Sequence, residues 1–491
     1  MPERATPMNS EWILSTRGPK TFARLPILGA TASRTLEKNA IQNHLPGYLM
    51  QRAGLALAKL SLAVAPHAHV FWIACGRGNN GGDGLEAAIH LHQWGKEIHV
   101  SMPAADKPLP TDAGLALARA RQAGLAIHDH APDHWDACID ALLGIGLTNA
   151  PTGTYADWIG LINSRSCDVI SADIPSGLMA DTGDAPGACV AATHTLSMLS
   201  LKPGLLTFQG RDACGSVWLN TLGVDASTES TAWLNHLPVV HQRPHLSHKG
   251  SFGDVAIAGG TLGMQGAAVL AARAALQSGA GRVYLVLLPS AQGSTSVDVP
   301  ADIMQRHADA LQPQQLTLVV GCGGGEEIAH TLPRWLMESK HLVLDADALN
   351  AIAASADLQK LLQGRAGDTT VITPHPLEAA RLLGCSVGEV QTDRLRSAQL
   401  LANQFKCTVI LKGSGSIIAA PDRVPHINPT GNGKLAIAGT GDVLAGMTGA
   451  ALARHASAWK AACAACYHHG ALADQWMKPT SLTASGLLES I

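Results

Sequence analysis

Short apolar runs that stop at glycine recur along this chain, and helical stretches follow them. Val70-Phe-Trp-Ile-Ala-Cys75 runs into Gly76-Arg-Gly-Asn-Asn-Gly-Gly-Asp-Gly84, and a helix is expected from Leu85 to about Trp94. Further strands are expected at Ile98–Met102, Ala137–Leu143 and Asp168–Asp173. A fully apolar strand is covered on both faces, and a parallel neighbour requires a crossover helix. The alternation therefore restricts the chain to α/β layers built on mostly parallel, doubly wound sheets. Ligands of such sheets sit outside the carboxyl ends of the strands, where these glycines and acids fall. A chain of 491 residues exceeds one ordinary core, so two domains of roughly 200–250 residues each are expected. The pattern lapses between Asp225 and Pro244, which places the boundary there, with residues 1–228 and 229–491 as the domains. The alternation restarts at Asp254-Val-Ala-Ile-Ala-Gly-Gly260 without a detectable repeat of the first half, and continues at 282–288, 316–320, 341–344, 370–373 and 408–411.

Composition excludes several function classes. A net charge of −3 with 15% charged residues offers no basic field for nucleic acid. No apolar run reaches the roughly 18–20 residues that span a bilayer, and Met1-Pro-Glu-Arg-Ala-Thr6 lacks the order of a signal peptide. The expectation is a cytoplasmic protein. Ten cysteines lie scattered in apolar segments and read as small buried hydrophobes. Cys463-Ala-Ala-Cys466 has no second ligand pair at zinc spacing, which leaves a packed helix.

In the first half, Asn79-Asn80-Gly81-Gly82-Asp83 follows a strand, and its glycines suit close approach to a ligand in an anion-binding nest. The spacing is not the dinucleotide fingerprint, which argues against hydride transfer. Asp140 stands before Gly144-Ile-Gly146, and Asp173 opens Asp-Ile-Pro-Ser-Gly177. Each carboxylate alone suits a cap or turn; three such loops at neighbouring strand ends suit a site.

In the second half, Gly439-Thr-Gly-Asp442 opens an apolar helix. Its N–H groups and dipole can hold an anion while Asp442 takes a proton from an attacking hydroxyl. Asp345-Ala-Asp347 offers carboxylates suited to magnesium, directly or through water. His375 stands between two prolines, and Lys412-Gly413-Ser414-Gly415-Ser416 follows a strand with a lysine suited to phosphate oxygens. Together these features suit phosphoryl transfer.

Residues 20–225, through Leu49-Met-Gln-Arg-Ala-Gly54, Gly78-Asn-Asn-Gly-Gly-Asp-Gly84, Asp140-Ala-Leu-Leu-Gly-Ile-Gly146 and Asp173-Ile-Pro-Ser-Gly177, resemble the NAD(P)H-hydrate epimerase domain, a Rossmann-like fold. That resemblance implies substrate contacts from Asn79, Asn80, Gly81, Gly82 and Asp83, and from Gly144, Ile145, Gly146, Leu147, Thr148, Asn149 and Ala150. It implies potassium ligands at Asn80, Asp140 and Ser176, and places Asp173 near the reacting ring. Asp173 is the expected acid and base, with Asp140 the alternative.

Residues from about His245 onward resemble the ribokinase-like superfamily, and within it the ADP/ATP-dependent NAD(P)H-hydrate dehydratase. The motifs are His248-Lys-Gly250, Gly263-Met-Gln-Gly-Ala267, Asp345-Ala-Asp-Ala-Leu-Asn350 and His375-Pro-Leu-Glu-Ala379. The resemblance implies hydrate contacts from Ala267, Gly324, His375 and Asp442, nucleotide contacts from Lys412 to Ser416 and from Gly441, and a base at Asp442. Gly439, Thr440 and Gly441 would form the anion hole. The implied partners are hydrated NADH and NADPH with magnesium and ADP, or alternatively ATP. A homo-oligomer is expected. Gly431-Asn-Gly-Lys-Leu-Ala436 departs from the expected run, lacking a proline and adding Lys434 beside the phosphate site. A small-heterocycle kinase and an RNA-associated scaffold are the other readings. The first leaves the N-terminal half without a matching task, and the second gives Asp140 and Asp173 no purpose.

Overall fold

The computed structural model describes residues 14–15, 25–42, 44–104, 107–226, 230–236, 238, 244–289, 297–365, 367–455 and 457–491. The N-terminal hexapeptide and, within the expected boundary, residues 227–229, 237 and 239–243 lie outside them. The chain divides into two units, Met1–Trp233 and Leu234–Ile491.

In the first unit, strand Val70–Cys75 pairs in parallel with Glu97–Ser101 on one side and with Ala137–Ala141 on the other. The sheet then continues through Asp168–Ala172, His194–Met198 and Ser216–Asn220. Ile127–His128 extends the opposite side. Chain direction across the sheet therefore reverses at Val70–Cys75, and its carboxyl end and that of Ala137–Ala141 flank a crevice. Phe71, Trp72, Ile73 and Cys75 are fully buried, and burying Phe71 or Ile73 contributes about 1.5–3 kcal/mol each. Two helices, Ala30–Ile41 and Tyr48–Val64, precede this strand.

The helix after the first glycine loop starts at Asn79, well before the expected Leu85. Asn79 to Asp83 are its opening turn rather than a nest. The glycines are chosen for packing: a Cβ on Gly81 would stand 1.9 Å from the Gly76 carbonyl oxygen, and one on Gly82 2.5 Å from Met50 Sδ. Gly-rich composition lowers helix propensity, which hid this turn in the sequence; tertiary packing overrides it.

The second unit repeats the same order. Asp254–Gly259 lies between Arg282–Leu287 and Thr317–Val320, with Ile303–Gln305 beyond the former and His341–Leu344, Thr370–Ile372 and Thr408–Leu411 beyond the latter, all parallel. Antiparallel Ile417–Ala419 and His426–Ile427 follow. Both sheet faces are buried by helices, including Gln265–Gln277 and Thr440–His455 on one and Ile328–Glu338 on the other. The Cys463 and Cys466 pair sits within helix Ala458–Asp474, with Cys466 buried. No helix among the described residues is long and apolar enough to cross a membrane.

Candidate active sites

At the first crevice Asp140 is fully buried and accepts four hydrogen bonds. Its Oδ2 receives Ser171 Oγ at 2.8 Å and the Ser176 N–H at 2.9 Å; its Oδ1 receives Ser176 Oγ at 2.6 Å and the Leu142 N–H at 3.3 Å. Burial raises its pKa, against the pull of these donors. Asp140 lines neither of the adjoining clefts. Asn80 Nδ2 and Ser176 Oγ both reach the Leu143 carbonyl, at 3.1 and 3.2 Å. The three residues expected around potassium therefore converge on one cluster of carboxylate, hydroxyl and carbonyl oxygens, with no cationic side chain paired to Asp140 among the described residues. A hard monovalent cation fits that donor set.

Asp173 lines the adjoining cleft with Glu37, Asp83 and Asp112. Its backbone is left-handed at φ 64°, a conformation that aspartate tolerates better than most residues. Oδ1 is bound by the Met198 N–H at 2.9 Å and by the Lys202 ammonium. Lys202, 1% exposed, also donates to the Met198 carbonyl at 2.8 Å. Burial, then Asp173 nearby, raises the pKa of both Asp83 and Glu37, Asp83 strongly. The cleft thus sets two carboxyls whose pKa values burial raises beside one ion-paired carboxylate. It runs on through Asn79, Asn80 and Gly144 into a wider one of about 1250 Å³, lined by Arg34, Arg77 and residues Gly146 to Asn149. Ala150 lies beyond that lining, against Gly187.

In the second unit, Asp345, Thr373 and Lys412 follow three adjacent parallel strands and meet: Asp345 Oδ1 accepts Thr373 Oγ1 at 2.8 Å and Lys412 Nζ at 2.6 Å. Burial opposes the charge on Lys412, but Asp345 and Glu378 outweigh it and raise its pKa. A Cβ on Gly441 would stand 3.4 Å from Lys412 Nζ, which places the turn before Asp442 over this pair. Asp442 lies in the first turn of helix Thr440–His455. Its pKa is raised to about 6 by burial and by Asp345, against Cys322 and Lys412. Asp347 Oδ2 receives the Gly325 N–H at 2.9 Å, so each carboxylate of the expected magnesium pair has one oxygen engaged by a protein donor. Gly323 brings its loop against Met264 and Ala267, with Gly324 beside Ile328.

His375 caps helix Pro376–Leu383, its Nδ1 accepting from the Leu377 and Glu378 N–H groups. That fixes the proton on Nε2, 3.2 Å from Glu378 Oε1. Burial first, with Asp345 adding, lifts Glu378 to about 7 against the opposing charge of Lys412.

Lys434 Nζ donates to the Trp476 carbonyl at 2.9 Å. Asp474 holds the same loop through the Gly431 N–H and Asn432 Nδ2, both at 2.9 Å. Buried His469, lowered to about 4 by burial and so neutral, meets the Thr440 carbonyl at 2.9 Å. These side-chain ties hold the Gly431–Ala436 loop and the helix start that follows it. Arg394, 2% exposed, braces the Lys412–Ser416 loop through the Leu411 and Lys412 carbonyls. Gly413 runs at φ 127°, and a Cβ there would stand 3.1 Å from the Arg394 guanidinium. Lys202, Arg394, His469 and Asp474 escaped the sequence reading. Lys202, in Leu-Lys-Pro-Gly204 beyond a strand end, carried a usable signal.

Residues 47–204 match the family described as YjeF-related protein N-terminus, and residues 255–491 match the NAD(P)H-hydrate dehydratase family. The bifunctional NAD(P)H-hydrate repair enzyme of Escherichia coli is 38% identical over 87% of this chain and 84% of its own length. That of Coxiella burnetii is 33% identical over 90% and 93%. The Bacillus subtilis ADP/ATP-dependent NAD(P)H-hydrate dehydratase, crystallised with ATP/Mg2+, is 31% identical over 51% of this chain and 91% of its own, with a TM-score of 0.45. Both halves thus find their counterparts in the same order within single relatives of similar length, and the chain belongs to the family of bifunctional NAD(P)H-hydrate repair enzymes.

Proposed function

We propose that the first unit interconverts the R and S hydrates of NADH and NADPH, and that the second dehydrates the S form with ADP as phosphoryl donor. Asp442 carries this reading: an acid with raised pKa stands at a helix N-terminus over the Asp345–Lys412 pair. Its carboxylate takes the proton of the ring hydroxyl as that oxygen attacks the terminal phosphoryl group. The N–H groups of Gly439, Thr440 and Gly441 and the helix dipole receive the growing charge. The ring nitrogen's lone pair then expels phosphate, and loss of the neighbouring C–H proton restores the dihydropyridine. Ala267, Gly324 and His375 would line the hydrate side, and Lys412 to Ser416 the nucleotide side. Magnesium would enter with the nucleotide and screen its phosphates.

In the first unit Asp173 takes the hydroxyl proton as the C–N bond of the hemiaminal breaks. A neighbouring carboxyl whose pKa is raised by burial, Asp83 or Glu37, would supply one to the ring nitrogen. Closure on the other face completes the inversion. Asn79 and Asn80 with the Gly144–Ala150 loop would hold the nucleotide, its phosphates towards Arg34. Potassium at Asn80, Asp140 and Ser176 would fix those loops. The reading places the enzyme in the cytoplasm, beside its substrates.

The test is recovery of NADH absorbance from mixed R and S hydrates, with ADP, with ATP and with neither, in potassium or lithium buffer. Complete recovery with ADP in potassium, and recovery of the S fraction alone in lithium, is expected. No recovery with either nucleotide would return the second unit to the heterocycle-kinase reading.

Asp474→Ala leaves two loop donors unpaired, at about 1–3 kcal/mol. It should raise the KM for the nucleotide about tenfold with kcat little changed. A fall in kcat alone would show that this tie serves the chemistry instead.

A further inference from the structure

Three imidazoles gather at one edge of the first unit's sheet, outside both sites. His99 lies on strand Glu97–Ser101 and His128 on the edge strand Ile127–His128, with Ser101 paired to His128. Side chains alternate along a strand. His99, two residues before Ser101, therefore shares a face with His128, and His130 follows by the same step of two. One ring nitrogen from each lies within 4.8 Å of the others. The His99 and His128 rings stack at 4.2 Å, and His130 stands edge-on to both.

The backbone beneath them is anchored. The His130 carbonyl accepts Ser101 Oγ at 2.7 Å, and that oxygen accepts the indole N–H of fully buried Trp72 at 2.9 Å. Asp129 Oδ1 lies 3.1 Å from His130 Nδ1. A carboxylate on one ring nitrogen orients the imidazole and leaves the other nitrogen, Nε2, as a ligand.

We propose that His99, His128 and His130 form a binding site for one transition-metal ion of borderline softness, such as Zn2+, Co2+ or Ni2+, with water completing the coordination. Imidazole donors select these ions over magnesium and calcium, which take oxygen. Ligand nitrogens at about 2.0–2.1 Å from a tetrahedral ion stand roughly 3.4 Å apart. The ring nitrogens must settle at that spacing, and the stacked pair must tilt so that the ion lies in both ring planes. His99 and His128 are only partly buried and His130 is exposed, so these turns leave the core in place.

The test is a Co2+ titration of the metal-free full chain, followed by Zn2+ competition, in a Cys322→Ser background. That background removes the thiol of the Cys322, Asp345 and Asp442 cluster, a separate set of ligand atoms. One saturating equivalent with a visible d–d spectrum is expected. Affinity should fall tenfold or more in each of His99→Ala, His128→Ala and His130→Ala, with epimerase and dehydratase activities, assayed with magnesium and potassium but without transition metal, unchanged. Exposed His130 guards against a folding artefact. Undiminished affinity in His130→Ala and His128→Ala, or no saturable binding in the parent, overturns the proposal.

Discussion

Asp442→Asn is expected to lower the dehydration rate by about 10²–10⁴-fold, the usual contribution of a positioned base, with epimerisation of the R hydrate unchanged. Asparagine keeps the volume and the hydrogen-bonding reach of the side chain, so the anion hole should stay formed and nucleotide binding persist. In the unaltered enzyme the base works ionised, so kcat/KM for dehydration should fall about tenfold per pH unit below about 6. The same substitution should stabilise the protein. Because folding raises the Asp442 pKa from its ordinary 3.8 to about 6, the folded chain holds that proton more tightly than the unfolded chain. The resulting stabilisation is complete below the lower value and is lost as the pH rises through the higher one. At pH 7 the ionised carboxylate therefore destabilises the fold by about 1–3 kcal/mol. A folded variant with full dehydratase activity, or one that loses both activities together, would sink the assignment of Asp442.

The second large effect concerns Asp173 and Lys202. Lys202→Met leaves a largely buried carboxylate without its cation, and Asp173→Asn leaves an ammonium at 2% side-chain exposure without its anion. Removing one member of a buried pair costs about 3–5 kcal/mol, so each single variant should unfold its unit at lower urea than the parent. The double variant should recover most of that loss, with a coupling of about 2 kcal/mol or more, and still fail to consume the R hydrate. Measured urea midpoints and R-hydrate turnover separate the two contributions. Strict additivity of the single variants would show that the ion pair does not hold this loop. Recovered epimerisation in the double variant would take Asp173 out of the proton transfer.

What the sequence made legible follows from chain direction. Asp173, Asp345 and Lys412 each stand just past an apolar run, Asp140 stands one residue before its strand ends, and strands end where such runs end. In a doubly wound sheet that position is itself the site. The contributions of Lys202, Arg394, His469 and Asp474 depend instead on what the fold brings near. Arg394 meets the Lys412 carbonyl across 18 residues and Asp474 meets Gly431 across 43. No local periodicity encodes such encounters. The helix start at Asn79 was misjudged for a related reason, since helix propensity is a weak prior that packing overrides.

The opening turn at Asn79–Gly84 superimposes two messages on six letters. Gly81 and Gly82 are there because neighbouring backbone and Met50 leave no room for a methyl group, whereas Asn79 and Asn80 face the cleft. A profile scored on the glycines therefore registers architecture, and a profile scored on the asparagines registers chemistry. A paralogue that retained the glycines and lost the asparagines would still be gathered into the family by its outline, long after it had ceased to repair anything.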